Sequence, residues 1–190
     1  PVAAVAARTA EIAEEATKLI KVDYEILAPV QDPVEAMAPG APLLHDDMLT
    51  KSIGGEADSP SNVALHVELG RGDVDAAFAA SDHIIERTYK TSIVHQGYIE
   101  PEAETAWYHN DGSIEVWADT QGIFDHRNQL SNLLEIDQGD ILVRGTEVGG
   151  AFGAKAQTRI SPLCVMLSKK AGKPVQIVLT RTEVLSATGP

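Results

Sequence analysis

Two stretches of this chain carry groups whose types and spacing could do chemistry. The first is Gly149-Gly150-Ala151-Phe152-Gly153-Ala154-Lys155, which lies between an apolar run, Ile141-Leu142-Val143, and a segment of helical pattern over 158–171. Three glycines and two alanines in seven positions leave this backbone nearly bare. Bare backbone lets amide N–H groups approach a ligand closely, and a following helix adds the positive end of its dipole. Such a turn suits an anionic or oxo-bearing ligand. It equally suits a plain strand-to-helix turn that uses glycine for positive φ. Two nucleotide motifs fail. Lys155 falls where a phosphate-binding G-x-x-x-x-G-K-[ST] loop has its lysine, but Ala154 and Ala156 replace the second glycine and the hydroxyl. The spacing G-G-x-x-G also breaks the dinucleotide fingerprint G-x-G-x-x-G.

The second stretch is His95-Gln96-Gly97-Tyr98-Ile99-Glu100-Pro101, which puts an imidazole, a carboxamide, a phenol and a carboxylate at the end of a strand-like pattern. Gln96 can donate and accept hydrogen bonds without charge, which suits positioning an oxo group or a neutral substrate. The same groups could instead satisfy backbone at a strand end.

The chain that must position these stretches has 190 residues and a net charge of −13, which argues against a nucleic-acid partner. No apolar run approaches a membrane span, and there is no basic, apolar leader. The single cysteine, Cys164, excludes internal disulfides and Cys-rich metal clusters; its apolar surroundings read as a buried, inert thiol. A cytoplasmic location follows from this cysteine usage. His45-Asp46-Asp47 reads as a solvated turn, so no metal-ligating residue is assigned. Pro1 in place of an initiator Met, and an abrupt stop at Thr188-Gly189-Pro190, read as a piece of a longer polypeptide.

Along the chain, apolar positions from Val2 to Ile20 recur at helical spacing, and 21–27 alternates as a strand. Asp32-Pro33 starts a short helix. Residues 38–61 are rich in Pro, Gly, Asp and Ser and read as a boundary segment. Strands follow over 62–69 and 83–89, the latter extended to Val94, with an Asp73-capped helix over 74–80 between them. Asn110-Asp111-Gly112 marks a hairpin between strands 104–109 and 113–118. Next come a helix over 123–134, a strand over 141–145, the glycine loop, a helix over 158–171 ended by Gly172, a strand over 174–179 and a helical turn over 181–186. The class is α+β, with mixed sheets, packed helices and one antiparallel hairpin.

The order of these segments resembles the large, molybdenum-binding subunit of the xanthine dehydrogenase and aldehyde oxidase family. The resemblance rests on Asn62-Val63, Arg71-Gly72-Asp73-Val74-Asp75, His95 to Pro101, Asp119-Thr120-Gln121, Gly149 to Lys155, Gly172-Lys173-Pro174-Val175 and Arg181-Thr182-Glu183. It implies that residues 1–44 are the end of a smaller α/β "hammerhead" domain, 45–61 a linker, and 62–190 the first part of a molybdopterin-binding domain. It implies molybdopterin held by Gly149, Gly150, Ala151, Phe152, Gly153 and Ala154. The backbone of Phe152 and Gly153 would bond a metal oxygen ligand or the pterin dithiolene region, and the Phe152 ring would sit beside substrate or pterin. Gln96 would position substrate or an oxo group. The chemistry implied is hydroxylation of an electrophilic carbon with water as oxygen source. Electrons would pass through iron–sulfur clusters to FAD on other domains or subunits. Partners would be a small-molecule substrate, the rest of the large subunit and those redox modules, with no nucleic acid and no membrane.

Departures matter. Purine-oxidising members typically carry G-G-G-F-G-G-K-E, whose glutamate orients the substrate; here that position is Ala156. Their G-Q-x-H-F-Y-L-E glutamine aligns with Val94, two residues before Gln96. An aldehyde or a non-purine N-heterocycle is therefore the expected substrate. The family's glutamate base lies beyond Pro190, so no catalytic residue is assigned here, Glu100 included, and the chain alone is expected to be inactive. The alternative is a non-catalytic α+β binding or interaction module, with a nucleotide-binding loop ranking third.

Overall fold

The computed structural model describes residues 2–188; Pro1, Gly189 and Pro190, the outer limits of the expected 1–44 and 62–190 regions, lie outside them. In chain order the elements are α1 (Ala10–Thr17), α2 (Pro33–Ala36), β1 (Leu49–Ser52), β2 (Gly55–Pro60), α3 (Val74–Ala79) and β3 (Ala103–Tyr108). They continue with β4 (Ile114–Ala118), α4 (Ile123–Leu134), β5 (Ile141–Gly145), α5 (Ser161–Ala171), β6 (Val175–Val178) and α6 (Arg181–Ala187). Residues 22–90 form one compact unit, and the two flanking parts of the chain form the other.

In the unit of residues 22–90, the Asp32 carboxylate accepts from the Val34 and Glu35 amides, and Asp73 accepts from Ala76 N at 2.9 Å. Both short helices thus start at the caps read from sequence. The expected linker region contains the β1–β2 hairpin, turned at Gly54 with φ +98°. The strand expected over 62–69 reduces to one bridge, Lys51 to Leu65. Residues 21–27 and 83–94 form no strand. Alternation supplies a face, but a strand also needs a neighbour to complete its ladder. In the other unit the N-terminal helix is shorter than its pattern: Thr9 Oγ1 accepts from Ile12 N, and the helix begins only at Ala10.

The second unit is built on a four-stranded sheet of order β5-β4-β3-β6. β3 and β4 form the antiparallel hairpin signalled by Asn110-Asp111-Gly112, where Gly112 adopts φ +93°. β5 runs parallel to β4 after the α4 crossover, and β6 returns antiparallel to β3. One sheet face is buried by α4 and α5, with Ala106, Ile114, Val116, Leu130, Val143 and Val165 in the core. Each large side chain among these contributes about 1.5–3 kcal/mol on burial. The α+β class is observed, and α4 matches the expected helix over 123–134.

This topology decides where the chemistry sits. Because β4 and β5 are parallel while β3 and β6 oppose β4 and β3 in turn, four chain segments leave or enter the sheet at one end. They are 95–102, 119–121, 146–158 and 179–188.

Candidate functional site

Both stretches singled out in the sequence meet at that end. The glycine loop lies against the segment before β3. Glu100 N donates to Gly149 O at 3.3 Å, and Glu100 Oε2 accepts from Gly149 N at 2.6 Å. Glycine is required at 149, since a Cβ there would stand 2.8 Å from Glu100 Cβ. At Gly150 (φ +100°) a Cβ would meet Tyr98 Cβ at 3.3 Å.

Beneath the loop, Lys155 turns inward and is only 3% exposed. Its ammonium lies 2.7 Å from Glu100 Oε2 and 2.5 Å from Asp119 Oδ2, the latter an ion contact off line for a hydrogen bond. It also sits 5.1 Å from the Tyr98 ring centre. Two glutamines brace the loop from α4 and its entry. Gln121 Oε1 accepts from Gly153 N at 3.1 Å; Gln129 accepts from Thr158 N at 2.9 Å and donates to Ala156 O at 3.2 Å. The Gln121 amide and the Thr120 hydroxyl both donate to Lys155 O.

The charges explain why this arrangement holds. Burial alone would lower the Lys155 pKa, but Asp119 and Glu100 outweigh it and raise it. Burial opposes ionisation of Glu100 too, yet the Lys155 and Gly149 hydrogen bonds bring its carboxyl below the usual range. Burial raises Asp119 and Glu102, with Lys155 pulling the other way. Deeper in, burial pushes Glu104 up to about 8, helped by the charges of Asp119 and Glu102. Burial pulls His126 down to about 4. Ser161 Oγ bridges the two, hydrogen-bonded to Glu104 and 2.8 Å from His126 Nε2, which also lies 3.1 Å from Thr158 Oγ1. Glu104 and His126 are thus both neutral near pH 7.

The loop's outer side is different. Gly150, Phe152 and Gly153 all have positive φ, and Phe152, at φ +54°, is an uncommon conformation for a bulky aromatic. The residue is 75% exposed, so Phe152 is no core aromatic in this structure. The amides of Gly150, Ala151 and Phe152 have no acceptor among the described residues. Gly150 is half-buried, Ala151 is buried and Phe152 is exposed; amides left without an acceptor on such a glycine-rich turn can donate to anionic or electron-rich oxygen, the kind of group the sequence implied. Of the two amides expected to face that group, Phe152's is free and Gly153's is held by Gln121.

Other sequence candidates sort cleanly. Gln96 Oε1 is buried with no hydrogen-bond partner among the described residues. His95 is structural: its Nε2 lies 2.9 Å from Val184 O and 3.0 Å from Thr188 Oγ1, while Nδ1 accepts from Gly97 N. Tyr98 is buried, donating to Glu102 Oε1 at 3.2 Å. Cys164 is buried and its thiol is pushed up to about 12, so it is inert. With its ammonium committed to two carboxylates, Lys155 is not a phosphate-binding lysine. The bracing by Gln129 and the Glu104–His126 pair had no sequence signal; Asp119 and Gln121 stood out only through the family pattern.

Comparison with known proteins gives a consistent picture. A family model described as "Molybdopterin cofactor-binding domain" matches residues 56–190. The chain is 35% identical to a probable xanthine dehydrogenase subunit of Bacillus subtilis over 96% of its own length and 23% of that protein's. It is 30% identical to the nicotinate dehydrogenase large molybdopterin subunit of Eubacterium barkeri, covering 96% of itself and 40% of that subunit. The reconstituted CO dehydrogenase from Oligotropha carboxidovorans superposes with a TM-score of 0.78 at 29% identity, over 94% of this chain and 23% of that one. The chain therefore spans well under half the length of these relatives.

Proposed function

The chain belongs to the molybdopterin cofactor-binding domain family, and on that footing we propose that its glycine loop forms one wall of a molybdopterin and substrate site in a molybdenum hydroxylase. The observation that carries this is the run of free amides at Gly150, Ala151 and Phe152, on a loop braced from below by Lys155, Gln121 and Gln129. Gly149, Gly153 and Ala154 complete the turn that presents them. The bound cofactor would supply two-electron oxidation of a substrate carbon, with oxygen drawn from water.

This chain's own residues bind and shape. The amides hold electron-rich oxygens of the cofactor, and small side chains permit the close approach. The exposed Phe152 ring excludes water and packs beside cofactor or substrate. Gln96 positions a neutral substrate that donates to its unpaired Oε1, or an oxo group through its amide NH2. Glu100 has its Oε2 committed to Gly149 and Lys155, and moves no proton. The general base, the iron–sulfur clusters and FAD belong to other domains or subunits. With Ala156 in place of a carboxylate, the substrate class is an aldehyde or a non-purine N-heterocycle. Residues 1–44 as the end of a smaller α/β domain, and 62–190 as the start of the cofactor domain, are part of the same proposal.

The test is metal and pterin analysis of the protein purified with its natural partners. Molybdenum and pterin in matched, stoichiometric amounts are expected, with aldehyde or N-heterocycle oxidation exceeding purine oxidation. Neither molybdenum nor pterin would overturn the reading in favour of a non-catalytic module.

A further inference from the structure

We propose that Glu100 is a positioning residue: by joining the first and last residues of the glycine loop, it fixes the shape in which the loop offers its amides to a ligand. The ligand part of this rests on the reading above; the clamp itself does not. One carboxylate oxygen, Glu100 Oε2, accepts from Gly149 N at 2.6 Å and from Lys155 Nζ at 2.7 Å. The Glu100 amide donates to Gly149 O, so main chain and side chain grip the same loop residue.

The far side of the clamp cannot drift. Lys155 is held against Asp119, itself 3% exposed, and the Asp119 Oδ1 accepts from Ala103 N at the start of β3. A chain of contacts therefore runs from the sheet through Asp119, Lys155 and Glu100 to Gly149. The amides of Gly150, Ala151 and Phe152 lie between the two gripped ends. Holding both ends reduces the ordering entropy that a flexible glycine loop would lose on binding.

The test compares Glu100→Ala, Glu100→Gln and Lys155→Arg with the unaltered full chain. It reads amide hydrogen exchange over 149–155 and the rate of pterin loss from the holoprotein. Loss of a charge-assisted hydrogen bond predicts exchange in the loop faster by about tenfold or more in Glu100→Ala, with sheet amides unchanged. Glu100→Gln, which keeps an acceptor for Gly149 but loses the charge, falls between, as does Lys155→Arg, which keeps the charge but puts a larger, planar group in a buried site. Pterin loss follows the same order. Loop exchange within about twofold of the unaltered protein in Glu100→Ala overturns the clamp, as does exchange rising equally across the sheet. Faster loop exchange with unchanged pterin retention overturns the positioning role. If the unaltered holoprotein carries no pterin, the proposed function and the ligand-positioning role both fail, and exchange alone decides the clamp.

Discussion

Residues 22–90 and residues 98–184 are both well supplied with Val, Ile and Leu, yet only the second region has a core. Among the described residues, every buried side chain lies between Tyr98 and Val184. In the first region Val22, Tyr24, Ile26, Leu69 and Tyr89 all stay exposed, Ile26 at 92%. The difference is one of closure. β4, α4 and β5 fold back on one another within a short stretch, so the apolar face of each finds the others. Residues 21–27 and 83–94 have apolar alternation but no ladder partner. An apolar pattern specifies a face; only an opposing face makes it a core.

The same contrast holds for charge. The second region buries Lys155 among Asp119, Glu100 and the Tyr98 ring, whereas the first region's ion pair Lys51–Glu56 is solvated. Lys155→Met should therefore give the largest loss, about 3–5 kcal/mol, because it strands buried carboxylates. Denaturant unfolding reads this, and a loss below about 1 kcal/mol would put Lys155 in the class of surface pairs.

Leu130→Ala, at a fully buried position on α4, should cost about 3 kcal/mol through lost burial and the cavity left behind. A cost near zero would mean that the α4–sheet contact is no true core.

A smaller effect is pH-dependent. Glu104, ordinarily 4.5, is raised to about 8, so the folded chain holds a proton there that the unfolded chain lacks. Stability from this group is full below pH 4.5 and is lost as pH rises through 8. His126, lowered from 6.5 to about 4, works oppositely: the stability it costs is recovered as pH rises from 4 to 6.5. Between pH 6.5 and 8 Glu104 acts without that offset, so the thermal midpoint should fall across this window. Glu104→Gln should flatten the fall; an unchanged slope would assign it to other groups. Smallest of all, Ile26→Ala should change stability by no more than about 0.5 kcal/mol. A larger loss would reveal a face that this region does bury.

What the sequence could tell divides along the same line. The 110–112 turn, the helix over 123–134 and the Asp32 and Asp73 caps were legible because local rules alone decide them. The strands expected over 21–27 and 83–94 were not, because a strand depends on a distant neighbour. At the site, Gly149 to Ala154 were marked by composition, and their meeting with Tyr98 and Glu100 agrees with the joint appearance of the two stretches. The inward turn of Lys155 was hidden, since a lysine after a glycine-rich turn reads first as an anion ligand. Only the placement of Asp119 at the end of β4 shows that its charge is used within the protein.

The glycine loop is proposed to hold molybdopterin through its main chain. This is tested most directly by an experimental structure of the cofactor-loaded protein, reading the distances from the Gly150, Ala151 and Phe152 nitrogens to the nearest cofactor acceptor. At least one hydrogen bond of about 2.7–3.2 Å is expected, with Lys155 still turned inward against Asp119. A cofactor that leaves all three amides beyond about 4 Å, or that draws Lys155 out as its ligand, would rule out main-chain binding by this loop.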